Sequence, residues 1–376
     1  MSSEACERVL LTGATGFLGA HLLAELLKDD SVRVQCLVRA ADSAAGVERL
    51  RKTLEHYRLW DEAWRSRLYP LLGDLEKPML GLDSAQFSKL AGELDLILHT
   101  GANVNYVLPY SLMQKANVQG TQEIVRLAAK RRARVVYVST LRLFDSRLDG
   151  RPVRESDAID DASTRYSAYS YSKWMGEKVV RRAGERGIPY LIVRPGLVWG
   201  GAVGGGVNEG DAVSRLIKGC LALECAPDSP LQVNLTPTDY VIQSILWLAR
   251  RSEASGEVFH LVNDQPTGCA RLFERLRAQG YPLQLVPYGV WMERLREAAQ
   301  SEAAGDLVPL LQYFNDDLPE QSLKRVFDSR FTREYLSSRA GITCPAIDSE
   351  LIDRALAGMR ETGFIAAPNK HAELTG

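Results

Sequence analysis

Cysteine is scarce and scattered. The six residues Cys6, Cys36, Cys220, Cys225, Cys269 and Cys344 form no Cys-x-x-Cys pair. In a chain of 376 residues this excludes a disulfide framework and reads as isolated thiols in a reducing compartment, so a cytoplasmic location is expected. The histidines His21, His56, His260 and His371 make no metal pattern, and no metal site is expected. Long apolar runs are missing: nothing approaches the roughly 20 residues that cross a bilayer. The opening MSSEACERVLLTG has no signal-peptide apolar stretch either, so no membrane association is expected. An excess of one charge is also absent, with a net charge of -1. That argues against a nucleic-acid partner and leaves any acidic ligand to a local site. There is no internal repeat and no low-complexity segment.

What remains is ordinary globular composition, 45% hydrophobic and 25% charged. Apolar runs alternate with helix-period segments. Strands are expected at Val9–Thr12, Val32–Val38, Asp95–His99, Val135–Ser139 and Tyr190–Val193. Helices are expected at Phe17–Lys28, Gly120–Arg131 and Ser172–Glu185. Alternation of this kind builds right-handed βαβ units. The fold class is therefore α/β, a Rossmann-type doubly wound parallel sheet with a smaller, mostly helical C-terminal region. The expected division is 1–240 for the nucleotide-binding domain and 241–366 for the substrate region, with a polar tail at 367–376. A strand near 256–263 is expected to return to the sheet, and a helix-rich stretch runs from Arg271 to Arg360.

Leu10–Gly19 reads LLTGATGFLG. Gly13 permits a tight turn after a strand, Gly16 lets backbone approach a pyrophosphate, and Gly19 lets helix and strand pack closely. The amides that open the helix then face the phosphates. A purely structural glycine turn is the alternative, and the strand–turn–helix context favours the dinucleotide. After the second strand comes Arg39, where such sites usually carry an acid for the ribose 2′-hydroxyl. An arginine suits a 2′-phosphate instead, so NADPH is the expected cofactor. Arg49 is a weaker second candidate, and a surface charge is its plainer reading.

The strand VVYVST places Ser139 and Thr140 at a carboxyl end of the sheet, where ligands bind in open α/β folds. Tyr169–Lys173 reads YSYSK, and residues four apart share a helix face. A carbonyl that accepts hydride becomes an alkoxide and needs a proton. A phenol beside a lysine has its anion stabilised, and a hydroxyl at Thr140 can donate to the developing oxyanion. The expected catalytic set is Thr140, Tyr169 and Lys173, with Lys173 also bonding the nicotinamide ribose. Tyr-x-x-x-Lys also occurs by chance; the glycine loop and VST upstream favour catalysis. Tyr171 should face elsewhere, Tyr166 lies a turn too far, and Ser139 should point the opposite way from Thr140.

These residues resemble the extended short-chain dehydrogenase/reductase superfamily. They resemble most its thioester reductase branch, the terminal reductases of nonribosomal peptide and polyketide synthetases and of carboxylic acid reductases. TGATGFLG, LVRA, GDL at Gly73–Leu75, HTGANVNYVLPY at His99–Tyr110, ANVQGT at Ala116–Thr121, VST, YSKW, VRPG at Val193–Gly196 and PTDY at Pro237–Tyr240 carry the likeness, over about residues 8–330. HTGANVNYVLPY and the stretch Leu59–Trp64 point to the branch. The resemblance implies reduction by NADPH of an acyl or peptidyl thioester on a carrier protein's phosphopantetheine arm, to an aldehyde and then, by a second hydride, an alcohol. It implies cofactor contacts at Thr12, Gly13, Thr15, Gly16, Phe17, Leu18, Gly19, Arg39, Asp74, Leu75, Gly101, Ala102, Asn117, Ser139, Lys173, Pro195 and Gly196.

LRLFDS departs from the branch, with Arg142 and Phe144 where small or β-branched residues are usual, which alters the wall beside Thr140. With no adenylation or carrier segment, the chain reads as an excised terminal domain or a stand-alone monomeric reductase. His99 reads as a packed, hydrogen-bonded residue. The glycine-rich Gly200–Gly210 reads equally as a lid or as a plain connection. Arg131, Arg132 and Arg134 could meet an acidic carrier, although a solvated face is the commoner reading. Two rival functions are a reductase, epimerase or dehydratase of a free small molecule such as a nucleotide-sugar, and a redox-silent cyclase-like protein.

Overall fold

The computed structural model describes residues 6–105, 108–159, 167–201, 206–300 and 307–368. Seven strands form one sheet: β1 (Glu7–Thr12), β2 (Val32–Val38), β3 (Tyr69–Leu72), β4 (Leu96–His99), β5 (Arg134–Val138), β6 (Tyr190–Pro195) and β7 (Val258–Leu261). Their order is β7-β6-β5-β4-β1-β2-β3, and every pairing is parallel. Crossovers run through α1 (Phe17–Leu27), α2 (Ser43–His56), α3 (Ser84–Ala91), α4 (Gly120–Ala128) and α5 (Ala168–Gly184). From the adjacent strands β1 and β4 the order runs outward in opposite directions. Their carboxyl ends therefore splay into a crevice, the switch point where such folds take ligands.

The period-two alternation of strand residues sorts them to two faces. Val9, Leu11, Leu98 and Val136 pack with Leu22, Leu23 and Leu26 of α1, whereas Leu10, Ile97 and Val135 pack with Ile124 and Leu127 of α4. Each fully buried leucine contributes about 1.5–3 kcal/mol by leaving water. β3 has no counterpart among the strands expected from sequence. YPLL is too short to show alternation, and Pro70 is tolerated because β3 is the outermost strand and pairs with β2 alone. α5 begins at Ala168, four residues before the expected start. The Ser167 side chain accepts from the Ser170 amide and secures an extra turn, which carries Tyr169.

A second core gathers α6 (Ala212–Ala222), α8 (Cys269–Ala278), α9 (Tyr288–Ala298) and α11 (Ser349–Glu361) around Trp199, Phe273 and Trp291. Trp291 and Leu295 are both fully buried in it, as helix packing requires. The region is not purely helical: Gln284–Pro287 pairs in parallel with Cys225–Asp228. The two cores do not divide at residue 240. Trp199 and α6 already belong to the second, while α7 (Thr238–Ala249) and β7 return to the sheet layer. Leu336 of α10 (Arg330–Ala340) also packs on the sheet core. Among the described residues no helix is long and apolar enough to cross a membrane. Residues 369–376 of the expected tail lie outside the described residues, as do Tyr166 and residues 202–205 of the glycine-rich loop.

Candidate active site

The turn between β1 and α1 is held by close approach. Gly13 adopts φ +77°, and a Cβ there would meet Thr100 Oγ1 at 2.7 Å and Gly101 backbone at 2.8 Å. A Cβ on Gly19 would lie 2.1 Å from the Gly13 carbonyl oxygen. Gly16 differs: its Cβ would touch only that same oxygen, at 3.4 Å. The protein itself does not demand glycine at 16, and the space left open faces the cleft, as a pyrophosphate approaching backbone requires.

The crevice is braced across its strands. Thr12 Oγ1 bonds His99 Nδ1 (2.8 Å) and accepts from the Gly101 amide (3.0 Å). His99 Nε2 bonds Thr121 Oγ1 (3.0 Å). Burial, aided by the Lys173 charge, pulls the His99 pKa down to about 3, so the ring is a neutral brace. Asn117 sits in a wide turn before α4. Its Nδ2 donates to Ser172 Oγ (2.8 Å) and to the Asn103 carbonyl (3.0 Å), and its Oδ1 accepts from the Asn103 amide (2.7 Å). Thr12 and Asn117, expected from the resemblance to touch the cofactor, are thus turned into the protein and position the loop 101–105 and α5 instead.

All the other expected site residues line one cleft of about 910 Å³. Gly13, Thr15, Gly16, Phe17, Leu18 and Gly19 form its floor, with Asp74, Leu75, Gly101 and Ala102 alongside. Arg39 and Arg49 stand together at one end. Arg49 is more than a surface charge: its guanidinium donates to the Arg39 carbonyl (2.7 Å) and fixes the loop after β2. Across the switch point from Arg39, after β5 and β6, lie Ser139, Thr140, Pro195 and Gly196, with Tyr169 and Lys173 of α5. Thr140 Oγ1 accepts from the Arg142 amide (3.2 Å), which leaves its proton to donate. Lys173, 2% exposed, donates to the Val138 carbonyl (2.7 Å) and stands 4.2 Å from the Tyr137 ring centre. Burial pulls its pKa down to about 7, against the pull of the Glu177 carboxylate. Tyr171 packs on Tyr110 and Trp174, away from this set.

The far wall was not legible as a motif. Gln232, Asn234, Tyr313, Leu318, Arg325 and Phe327 supply it from the segments 232–234 and 313–327, with Tyr313 and Leu318 packed on the second core. Of the two unusual residues after VST, Arg142 does line the cleft, paired to Asp145 (2.9 Å). Phe144 instead turns inward beneath the Arg194 guanidinium, 5.3 Å from its ring centre. Behind α5, Glu177 and Arg194 form a buried two-toothed ion pair (2.9 and 2.8 Å). Sequence reasoning passed over both residues; the 169/173/177 spacing on one helix face was the signal that could have found Glu177.

A parallel sheet, a glycine-floored crevice at its switch point and a Thr–Tyr–Lys cluster within it define a nicotinamide-dependent oxidoreductase of the extended short-chain dehydrogenase/reductase type. Residues 11–245 match the NAD-binding family described as Male sterility protein, and the chain belongs to that family. It is 38% identical over 362 residues to a component of the linear gramicidin synthase of Brevibacillus parabrevis, covering 95% of this chain and 7% of that protein. It is 33% identical over 390 residues to the L-2-aminoadipate reductase large subunit of Penicillium chrysogenum, covering 96% and 28%. The chain thus spans a small part of these relatives' length. Among solved structures, the terminal R domain from the myxalamid PKS-NRPS biosynthetic pathway matches with a TM-score of 0.87 and 40% identity, over 97% of this chain and 93% of that one.

Proposed function

We propose that this chain is a terminal thioester reductase: it reduces an acyl or peptidyl thioester on a carrier protein's phosphopantetheine arm to an aldehyde. The observation that carries this reading is the continuity of one cleft from the glycine floor, past Thr140, Tyr169 and Lys173, to a wall built by the second core. That wall extends the cleft beyond the glycine floor and the Thr140, Tyr169 and Lys173 cluster, so a substrate can lie beside the dinucleotide. The likeness to a terminal R domain along nearly the whole chain supports the same reading.

The residues fit a dinucleotide because the space above Gly16 and the glycine floor is open to the cleft. Gly13, Gly16 and Gly19 would hold its pyrophosphate, Asp74 and Leu75 its adenine end, Pro195 and Gly196 its nicotinamide end. When bound, the reduced nicotinamide supplies hydride. Arg39, with Arg49 behind it, supports NADPH over NADH, because two guanidinium groups at the ribose end match a 2′-phosphate.

Thr140 donates a hydrogen bond to the thioester oxygen as negative charge develops there. Tyr169 gives that oxygen its proton, and the Lys173 ammonium stabilises the phenolate left behind. The resulting hemithioacetal loses the thiol on the carrier arm and leaves an aldehyde. The same cleft accepts the aldehyde for a second reduction to an alcohol. The test is NADPH absorbance with an acyl thioester presented on coenzyme A or on a carrier protein, with products identified by mass spectrometry. NADPH consumption with aldehyde or alcohol release is expected. Binding of NADPH without consumption across several thioesters and carriers would sink the proposal.

A further inference from the structure

Tyr169, Lys173 and Glu177 are spaced by four on α5 and so lie along one face of the helix. Lys173 carries its ammonium into the interior, where burial opposes the charge. Its surroundings offer little to balance it. Tyr137 from β5 presents a ring face, Val138 a backbone carbonyl, and Tyr169 lies one turn back on the same helix. His99 from β4 is neutral. Glu177, 1% exposed and one turn further along the same helix face, brings negative charge.

The Glu177 carboxylate is itself tightly held. Arg194 binds it through Nε and Nη2, at 2.9 and 2.8 Å. The guanidinium also contacts His260 Nε2 (3.2 Å) and lies over Phe144. Burial pulls the His260 pKa down to about 3, helped by the Arg194 charge, so this ring contributes a lone pair and no charge. Burial alone would raise the Glu177 pKa; the Arg194 charge and its hydrogen bonds outweigh that and keep the carboxyl ionised. On the rim, Arg181 lies 3.9 Å from Glu177, half in solvent, and adds little.

We infer that Glu177, clamped by Arg194, is a positioning residue that supplies the counter-charge for Lys173. It touches neither substrate nor cofactor and acts through the lysine one turn away. The inference rests on the proposed role of Lys173, and its test is chosen to stand without turnover. Lysine labelled with ¹⁵N in the full chain, with the Lys173 signal assigned through Lys173→Met, gives the Nζ titration directly. Glu177→Gln is expected to lower that midpoint by about one pH unit. Because this variant leaves Arg194 buried without a partner and can fail to fold, Glu177→Gln combined with Arg194→Met removes both charges at similar volume. It too is expected to lower the midpoint, while Glu177→Asp restores most of it. In NADPH oxidation, the alkaline fall of kcat should move to lower pH by the same amount, with KM little changed. A midpoint unmoved in the double variant overturns the inference, whatever happens to stability or rate. A moved midpoint in a protein that turns over no thioester would support the inference and count against the proposed substrate.

Discussion

A phenol that protonates an alkoxide has to surrender its proton on demand and recover it afterwards. In the proposed mechanism this falls to Tyr169, which sits in the first turn of α5 one turn from a buried lysine. Tyr169→Phe should keep NADPH affinity, measured by fluorescence titration, and lose turnover by roughly 10²-fold or more, the usual weight of a positioned proton donor. Near-normal turnover would remove Tyr169 from the mechanism. Arg39→Ala should weaken NADPH on the order of 10-fold or more, as for losing a hydrogen bond to a charged group, and leave NADH unchanged. An equal loss for both nucleotides would refute the 2′-phosphate role. These residues were legible because motif and spacing place them. Asn117 and Thr12 were legible as important but not in kind: only the fold shows that their polar atoms are used up inside the protein.

At the scale of the element, the β1–α1 turn separates two uses of glycine. Gly19 is required by the protein, since a Cβ would collide with the Gly13 carbonyl, whereas at Gly16 the protein leaves room. Gly19→Ala should therefore cost about 1–3 kcal/mol in denaturant unfolding of the apoprotein, the range for forced overpacking. Gly16→Ala should leave that stability nearly unchanged and weaken dinucleotide binding. If both variants lost stability alike, Gly16 would be a structural glycine. β1, α1 and β2 could be read to within a residue or two, because buried alternation, the glycines and a leucine-lined helix agree there. β3 could not, since four residues with a proline carry no period. The start of α5 was missed because one serine cap moves it by a turn.

Across the whole molecule, the cleft takes its floor from the sheet and its far wall from the second core. Trp291 is wholly buried in that core and distant in sequence from the glycine loop. Trp291→Ala should destabilise the protein by about 3–5 kcal/mol, read from chemical denaturation. In the fraction still folded, thioester turnover should fall while dinucleotide affinity holds. Loss of dinucleotide affinity instead would mean that the two cores do not share the labour this way. This wall escaped sequence reading because Gln232, Tyr313, Arg325 and Phe327 meet from segments about a hundred residues apart, with no local pattern to mark them. The path of the chain also decides how the protein could be re-engineered. It leaves the sheet near Trp199, returns for α7 and β7, departs again before α8, and comes back once more for α10. A chimera meant to exchange the second core must therefore graft separate stretches around a retained 238–261 and a retained α10, because a single crossover near residue 200 would also replace these returning elements of the sheet core.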